Sequence, residues 1–202
     1  MTTRHITLYH ASPSRSSGVL ALLEALAADY EIAPISLKDG DNLKPAFLAI
    51  NPMGKVPTVV HDGAVVTEQV AIYPYLAELY PEAGLAPAVG DARRGPFLRW
   101  LAFYGSCFEP AMIDKAMKRD PAPRGTSPYV DAETVLRVLE EQLARGDYLL
   151  GDTLSAADFL WGSALGWMSQ FGLVQPGPAT AAYIARMAAH PAVQRAQQID
   201  AR

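Results

Sequence analysis

GKVPTVVHDGAVVTEQ, residues 54–69, decides how the chain folds. Its second half is a β-hairpin by the strongest short-range signal a sequence carries. Val59, Val60 and His61 face Ala64, Val65 and Val66 across the two-residue turn Asp62-Gly63. Its first half raises a conflict, because Pro57 stands directly before this β-branched run although proline donates no ladder hydrogen bond and is kept out of central strands. A cis Val56–Pro57 peptide removes the conflict, at a cost of about 0.5 to 1 kcal/mol before proline against about 3 elsewhere. The chain then reverses sharply, and the Val56 N–H and C=O point away from the sheet, toward a partner outside the fold.

Upstream, HITLYH alternates with Ile6 and Leu8 on one face, and ASPSRSS then breaks the pattern with proline and serines. From Ser17 the apolar positions Val19, Leu22, Leu23 and Leu26 follow the spacing of an amphipathic helix. YEIAPISL is a second strand, parallel to the first because a helix joins them. KPAFLAIN is a short helical segment stopped at Asn51-Pro52. Downstream, TEQVAIYPYLAELYP predicts a helix with Val70, Tyr73, Leu76 and Tyr80 inward, Pro74 inside it and Pro81 as its stop.

The order to Pro81 is β, α, β, α, β, β, α, and after it strands vanish. PEAGLAPAVGD reads as a linker. Residues 94–116 carry Trp100, Phe103, Tyr104, Cys107 and Phe108 at helical spacing, with Pro110 bending or breaking the run. Ala132, Val135, Leu136, Leu139 and Leu143 form another stripe ended by Gly146. In LLGDTLSAADFLW, Ser155 and Asp158 make a capping box, with Leu154 against Phe159 as a staple. The expected fold class is α/β plus all-α, with a mixed domain at 1–81, a linker at 82–91 and an all-helical domain at 92–202.

Composition narrows the function. A chain of 202 residues, half of them hydrophobic, buries a sizeable core, and a net charge of −4 excludes a broad basic field for nucleic acid. One cysteine, Cys107, forbids an internal disulfide and fits a reducing, cytoplasmic setting. MTTRHITLYH has no apolar signal region, and the uncharged run Phe159 to Ala185 is broken by Ser163, Pro176 and Pro178, so no membrane span is expected. The histidines His5, His10, His61 and His190 lack metal-ligand spacing, and no phosphate-binding glycine loop is present.

Taken together, ITLYHASPSRSSGVLALLEAL, FLAINPMGKVPTVVHDGAVVTEQVAIYPYLAELYP, YLLGDTLSAADFLW and MAAHPAVQRA resemble the cytosolic glutathione transferase superfamily across nearly the whole chain. The resemblance implies a thioredoxin-like first domain and a helical second one, a homodimer, and glutathione as co-substrate. It makes Val56-Pro57 the family's cis-proline turn, whose backbone holds the cysteinyl unit of glutathione like an added strand. Glu68 and Gln69 fall where the family holds the γ-glutamyl end, Gln69 standing where relatives usually have Ser or Thr. Lys55 is a partner for the glycyl carboxylate. Ser14 falls at the catalytic position of the serine and cysteine classes, donating its O–H to the glutathione sulfur, with Ser12 and Ser16 as neighbours a small register shift would substitute. Tyr9 is the rival, against its reading as a strand-end aromatic. The second substrate is a small hydrophobic electrophile, its pocket implied between the loop after strand one and the aromatic-bearing helix. A glutathione-dependent disulfide reductase or peroxidase, and a non-catalytic glutathione-binding protein, are the alternatives.

Overall fold

The structure is a computed structural model describing residues 4–201. Its contacts divide the chain into two units: one runs to Leu85 and recovers the segment from Ala189 onward, and the other is Ala86–Ala188.

The first unit is a four-stranded mixed sheet in the order β2-β1-β3-β4. Strand β1 (Ile6–His10) is followed by α1 (Ser16–Ala25) and β2 (Tyr30–Pro34), which lies parallel to β1 as a helical crossover requires. The short α2 (Pro45–Leu48) ends three residues before Asn51. Strands β3 (Thr58–His61) and β4 (Ala64–Val66) form the hairpin in the predicted register, Val59 with Val66, Val60 with Val65 and His61 with Ala64. The turn residues Asp62 and Gly63 have φ of 46° and 79°, both left-handed, which matches the twist of the strands they join. The Val56–Pro57 peptide is cis, and so is Ser12–Pro13, which the sequence reading did not anticipate.

Alternation turns Ile6, Leu8 and His10 inward from β1, and α1 covers the sheet with Val19, Leu22, Leu23 and Leu26. Helix α3 (Gln69–Leu79) buries Ile72, Tyr73 and Leu76, while Val70, expected in its inner stripe, is half-buried.

In the second unit, α4 (Arg94–Phe103) and α5 (Glu109–Ala116) are joined without a break through the turn Tyr104–Phe108. Pro110 has no N–H to return to the carbonyl four residues back, and the helix widens just ahead of it, Glu109 N–H donating to the Tyr104 carbonyl five residues back. Helix α6 (Ala132–Leu143) and the fifteen-residue α7 (Ala156–Gln170) follow. The Trp161 ring is the hub of this core, 4.7 Å from Phe108, 5.4 Å from Tyr104 and 5.8 Å from Trp100, and its indole N–H donates to the Trp100 carbonyl at 3.1 Å. Trp100, Tyr104, Phe108 and Met112 are therefore packing residues, whereas Phe103 and Cys107 are half-buried.

The capping box is present, and the fully buried Asp158 also accepts from Leu149 N–H at 2.9 Å and Tyr183 O–H at 3.0 Å. Gly146 does not take a left-handed cap. A side chain there would press within 2.9 Å of the Gly151 backbone, so close approach is what requires glycine. Helix α8 (Pro178–Ala188) closes the unit. Helix α9 (Pro191–Asp200), which periodicity groups with the helical half, packs along α1 in the first unit. Among the described residues no helix is long and apolar enough to cross a membrane.

Candidate active site

The sheet topology brings three connections to one end of the strands. Tyr9 pairs with Thr58 where β1 ends and β3 begins, and Val59 pairs with Val66 where β4 ends. The loop 11–15, the Val56–Pro57 turn and the Glu68–Gln69 entry to α3 therefore leave the sheet side by side. The N-termini of α1 and α3 open at the same end, where the helix dipoles favour negative charge.

The turn before β3 is held from beneath. Asn51, 3% exposed, donates through Nδ2 to the Lys55 carbonyl at 2.9 Å and to Thr58 Oγ1 at 3.0 Å, and its Oδ1 accepts the Met53 N–H at 3.0 Å. Thr58 adds a bond from its hydroxyl to the Lys55 carbonyl, and Asn42 Nδ2 donates to the Gly54 carbonyl. The Val56 N–H and C=O, by contrast, meet no partner among the described residues. A turn pinned on both sides thus presents one unengaged peptide edge, the geometry that pairs with an incoming extended chain. The Lys55 side chain is exposed beside it.

At the entry to α3, Glu68 holds φ 64° and ψ 119°, a left-handed conformation that costs a non-glycine residue of order 1 to 3 kcal/mol. Its carbonyl accepts the N–H groups of Ala71 and Ile72 at 2.9 Å each. The helix then starts at Gln69 itself, so both candidate residues stand at the open end of α3.

Ser14 caps α1. Its Oγ accepts the Ser16 N–H at 3.1 Å and its carbonyl accepts the Ser17 N–H at 3.1 Å. The three serines of the loop are separated by exposure. Ser16 is fully buried and out of reach of any ligand, and the exposed Ser12 donates its hydroxyl to the Asp200 carbonyl at 3.0 Å. Ser14, 9% exposed, lies at the boundary and has a hydroxyl 2.7 Å from that of Ser16. Tyr9 alternates to the opposite face from His10, and its ring lies 5.5 Å from that of Phe47, the contact of a strand-end aromatic.

Behind Ser14 the hydrogen bonds continue inward. Ser16 Oγ is 2.8 Å from His10 Nδ1, accepts the Ala11 N–H at 3.1 Å and lies 3.2 Å from the Ala11 carbonyl. His10 Nε2 is 2.7 Å from Asp200 Oδ1 at the end of α9. Burial raises the Asp200 carboxyl, yet the hydrogen bond and charge of His10, together with the hydroxyls of Ser17 and Ser12, outweigh it and hold the group below its ordinary range.

His10, Asp200 and Asn51 were all missed as site residues. The signal for His10 was its phase, since it follows Ile6 and Leu8 inward and an inward imidazole demands a partner. Asp200 carried no local signal, because its partner lies 190 positions away.

The family model "Glutathione S-transferase, N-terminal domain" matches residues 4–78, and "Glutathione S-transferase, C-terminal domain" matches residues 129–195. Glutathione S-transferase 3 of Zea mays is 33% identical over 151 residues, covering 69% of this chain and 67% of the relative. Glutathione S-transferase GST-4.5 of Xanthomonas campestris is 32% identical over 196 residues, covering 91% and 95%. Among solved structures, a bacterial enzyme described as a ternary complex of BphK superposes with a TM-score of 0.81 at 28% identity, over 97% of this chain and all of that one. A sphingomonad glutathione S-transferase complexed with glutathione superposes with a TM-score of 0.78 at 29% identity, over 96% and 98%.

Proposed function

Because the chain belongs to the cytosolic glutathione transferase superfamily, we propose that it activates the thiol of glutathione for attack on small hydrophobic electrophiles. The observation that carries this reading is a serine hydroxyl at the mouth of α1, beside a pinned cis-proline turn whose peptide edge is unengaged.

Each part of the tripeptide has a partner of matching chemistry. The Val56 N–H and C=O pair with the cysteinyl backbone as a one-residue strand. Glu68 takes the γ-glutamyl ammonium, while Gln69 and the open N–H groups of α3 take its carboxylate. The Lys55 ammonium faces the glycyl carboxylate. This places the sulfur at the loop 11–15, where Ser14 donates its O–H to the thiolate. Ser14 stabilises the anion and does not itself attack the electrophile.

A free thiol titrates near 8.5 and is mostly protonated at neutral pH. A hydrogen bond to an ionised group contributes about 1.5 to 3 kcal/mol, or roughly one to two pKa units of thiol acidity. The test is an ultraviolet thiolate titration of bound glutathione in the wild type and in Ser14→Ala. The wild type lowers the thiol pKa, and the variant returns it by about one to two units. An unchanged titration in Ser14→Ala removes the role from this serine, and calorimetry that detects no heat with millimolar glutathione ends the reading. The homodimer belongs to the same reading, and sedimentation equilibrium measures it directly. Turnover of a mixed disulfide faster than that of an aryl halide would replace conjugation by disulfide reduction.

A further inference from the structure

The path from Ser14 to Asp200 is a complete chain of hydrogen bonds running from the loop 11–15 through buried groups to a half-buried acid: Ser14 Oγ to Ser16 Oγ at 2.7 Å, Ser16 Oγ to His10 Nδ1 at 2.8 Å, and His10 Nε2 to Asp200 Oδ1 at 2.7 Å. Helix capping alone explains the first of these groups and none of the others. A cap needs Ser14 Oγ as an acceptor for Ser16 N–H; it does not need an inward histidine backed by a carboxylate.

Counting donors and acceptors shows what the chain does. With Asp200 ionised, His10 must carry its proton on Nε2, so in the neutral ring Nδ1 accepts from the Ser16 hydroxyl. Ser16 Oγ then takes Ala11 N–H and the Ser14 O–H on its two lone pairs. Ser14 Oγ takes Ser16 N–H and has one lone pair left, facing out. In this state Ser14 is an acceptor, suited to a neutral S–H.

In the protonated ring the bond to Asp200 keeps its direction, and the two bonds between His10, Ser16 and Ser14 reverse. Nδ1–H donates to Ser16, and the Ser16 O–H donates to Ser14 at 2.7 Å in preference to the Ala11 carbonyl at 3.2 Å. Ser14 Oγ, filled by Ser16 O–H and N–H, has only its own proton left to direct outward. Ser14 is now a donor, suited to a thiolate. Both states satisfy every side chain of the chain, and they differ by the transfer of one proton along it.

Building on the glutathione reading, we infer that His10 is the acceptor of the thiol proton, reached through the hydroxyls of Ser14 and Ser16 and stabilised as imidazolium by Asp200. The S–H bond breaks as its proton moves to Ser14 Oγ, the Ser14 proton moves to Ser16 Oγ, and the Ser16 proton moves to His10 Nδ1. Thiol and imidazole become thiolate and imidazolium, with no proton leaving the protein and no net change in charge. His10 touches no substrate and acts through the two serines.

Among the described residues Asp200 is the charged group bonded to His10. On α1, Glu24 is held by Tyr30 and by Arg195 of α9, and Arg15, just before α1, is exposed. On β2, Glu31 accepts the Thr7 hydroxyl, and on β3, His61 pairs with Ile6 at the far end of the ladder and lies 2.6 Å from the Tyr75 hydroxyl.

A proton count separates this relay from a merely structural network. The thiolate formed on binding glutathione is read by ultraviolet absorbance, and the protons released are read by calorimetry in two buffers of different ionisation heat, above the ordinary histidine range. The wild type forms thiolate while releasing less than about 0.3 proton per thiolate, since the proton is retained. Ser16→Ala breaks the chain, and Asp200→Asn withdraws the charge that stabilises the imidazolium. Each variant forms several-fold less thiolate and releases about one proton for each that remains. Release of about one proton per thiolate in the wild type overturns the relay without touching the glutathione reading. Absence of binding or of thiolate overturns that reading itself. The wild-type count decides the matter even if a variant fails to fold.

Discussion

Asn51→Ala tests how the peptide edge at Val56 is prepared. The change removes three hydrogen bonds, to the Lys55 carbonyl, to Thr58 Oγ1 and from Met53 N–H. The Met53 amide belongs to an exposed residue and finds water, and the Lys55 carbonyl keeps its bond from Thr58. Two bonds in buried surroundings are lost outright, at about 1 kcal/mol each, for a destabilisation of about 2 kcal/mol. If that energy holds the turn in its binding shape, glutathione must supply it on binding, and its affinity falls by up to about 30-fold. Asn51→Asp retains the acceptor, loses both donors and sets a carboxylate against the Lys55 carbonyl, so it is worse than alanine on both measures. Far-UV circular dichroism in urea is the stability assay, because all three tryptophans lie in the unit Ala86–Ala188 and their fluorescence reports that unit. Glutathione calorimetry gives the affinity. A loss under about 0.5 kcal/mol with unchanged affinity would refute the argument and assign the turn's shape to the sheet alone.

Two further outcomes follow from packing and charge. Gly162→Ala places a methyl 2.7 Å from Met187 Cβ and Cγ, so α7 and α8 must part and the variant unfolds about 1 to 3 kcal/mol more easily, read by tryptophan fluorescence; unchanged stability would mean that Met187 moves aside freely. The Asp200 carboxyl is held below its ordinary value, so its contribution is full above about pH 4 and is lost as pH falls through the folded value. Asp200→Asn is therefore less stable than the wild type near neutrality, and the gap closes in acid; a gap of constant size from about pH 6 to pH 3 would show that Asp200 contributes through packing alone.

Much of this protein is written in short stretches. The Asp62-Gly63 turn, the alternation of β1, the stripe of α1 and the Ser155–Asp158 box are local patterns, and each forms the element it predicts because neighbours in sequence are neighbours in the element. Val56-Pro57 is legible for the same reason, since a proline at a strand entrance limits the backbone before any packing is considered. Pro110 shows where local reading stops. Its missing N–H predicts a bend or a break without deciding between them, and the helix widened by one residue at Tyr104–Phe108 and ran on, held by the ring packing around Trp161.

What tertiary structure alone decided is which distant groups meet. Alternation turns His10 inward but says nothing of Asp200, which comes to it only because α9 folds back along α1. The same holds for the choice among Ser12, Ser14 and Ser16, which differ in exposure and partners while sharing one loop and one chemistry. Side-chain type and spacing determine what an element buries. Chain return determines what a buried polar group finds there, and such a group must find a partner because an unmatched donor or acceptor in the interior costs more than its bond is worth.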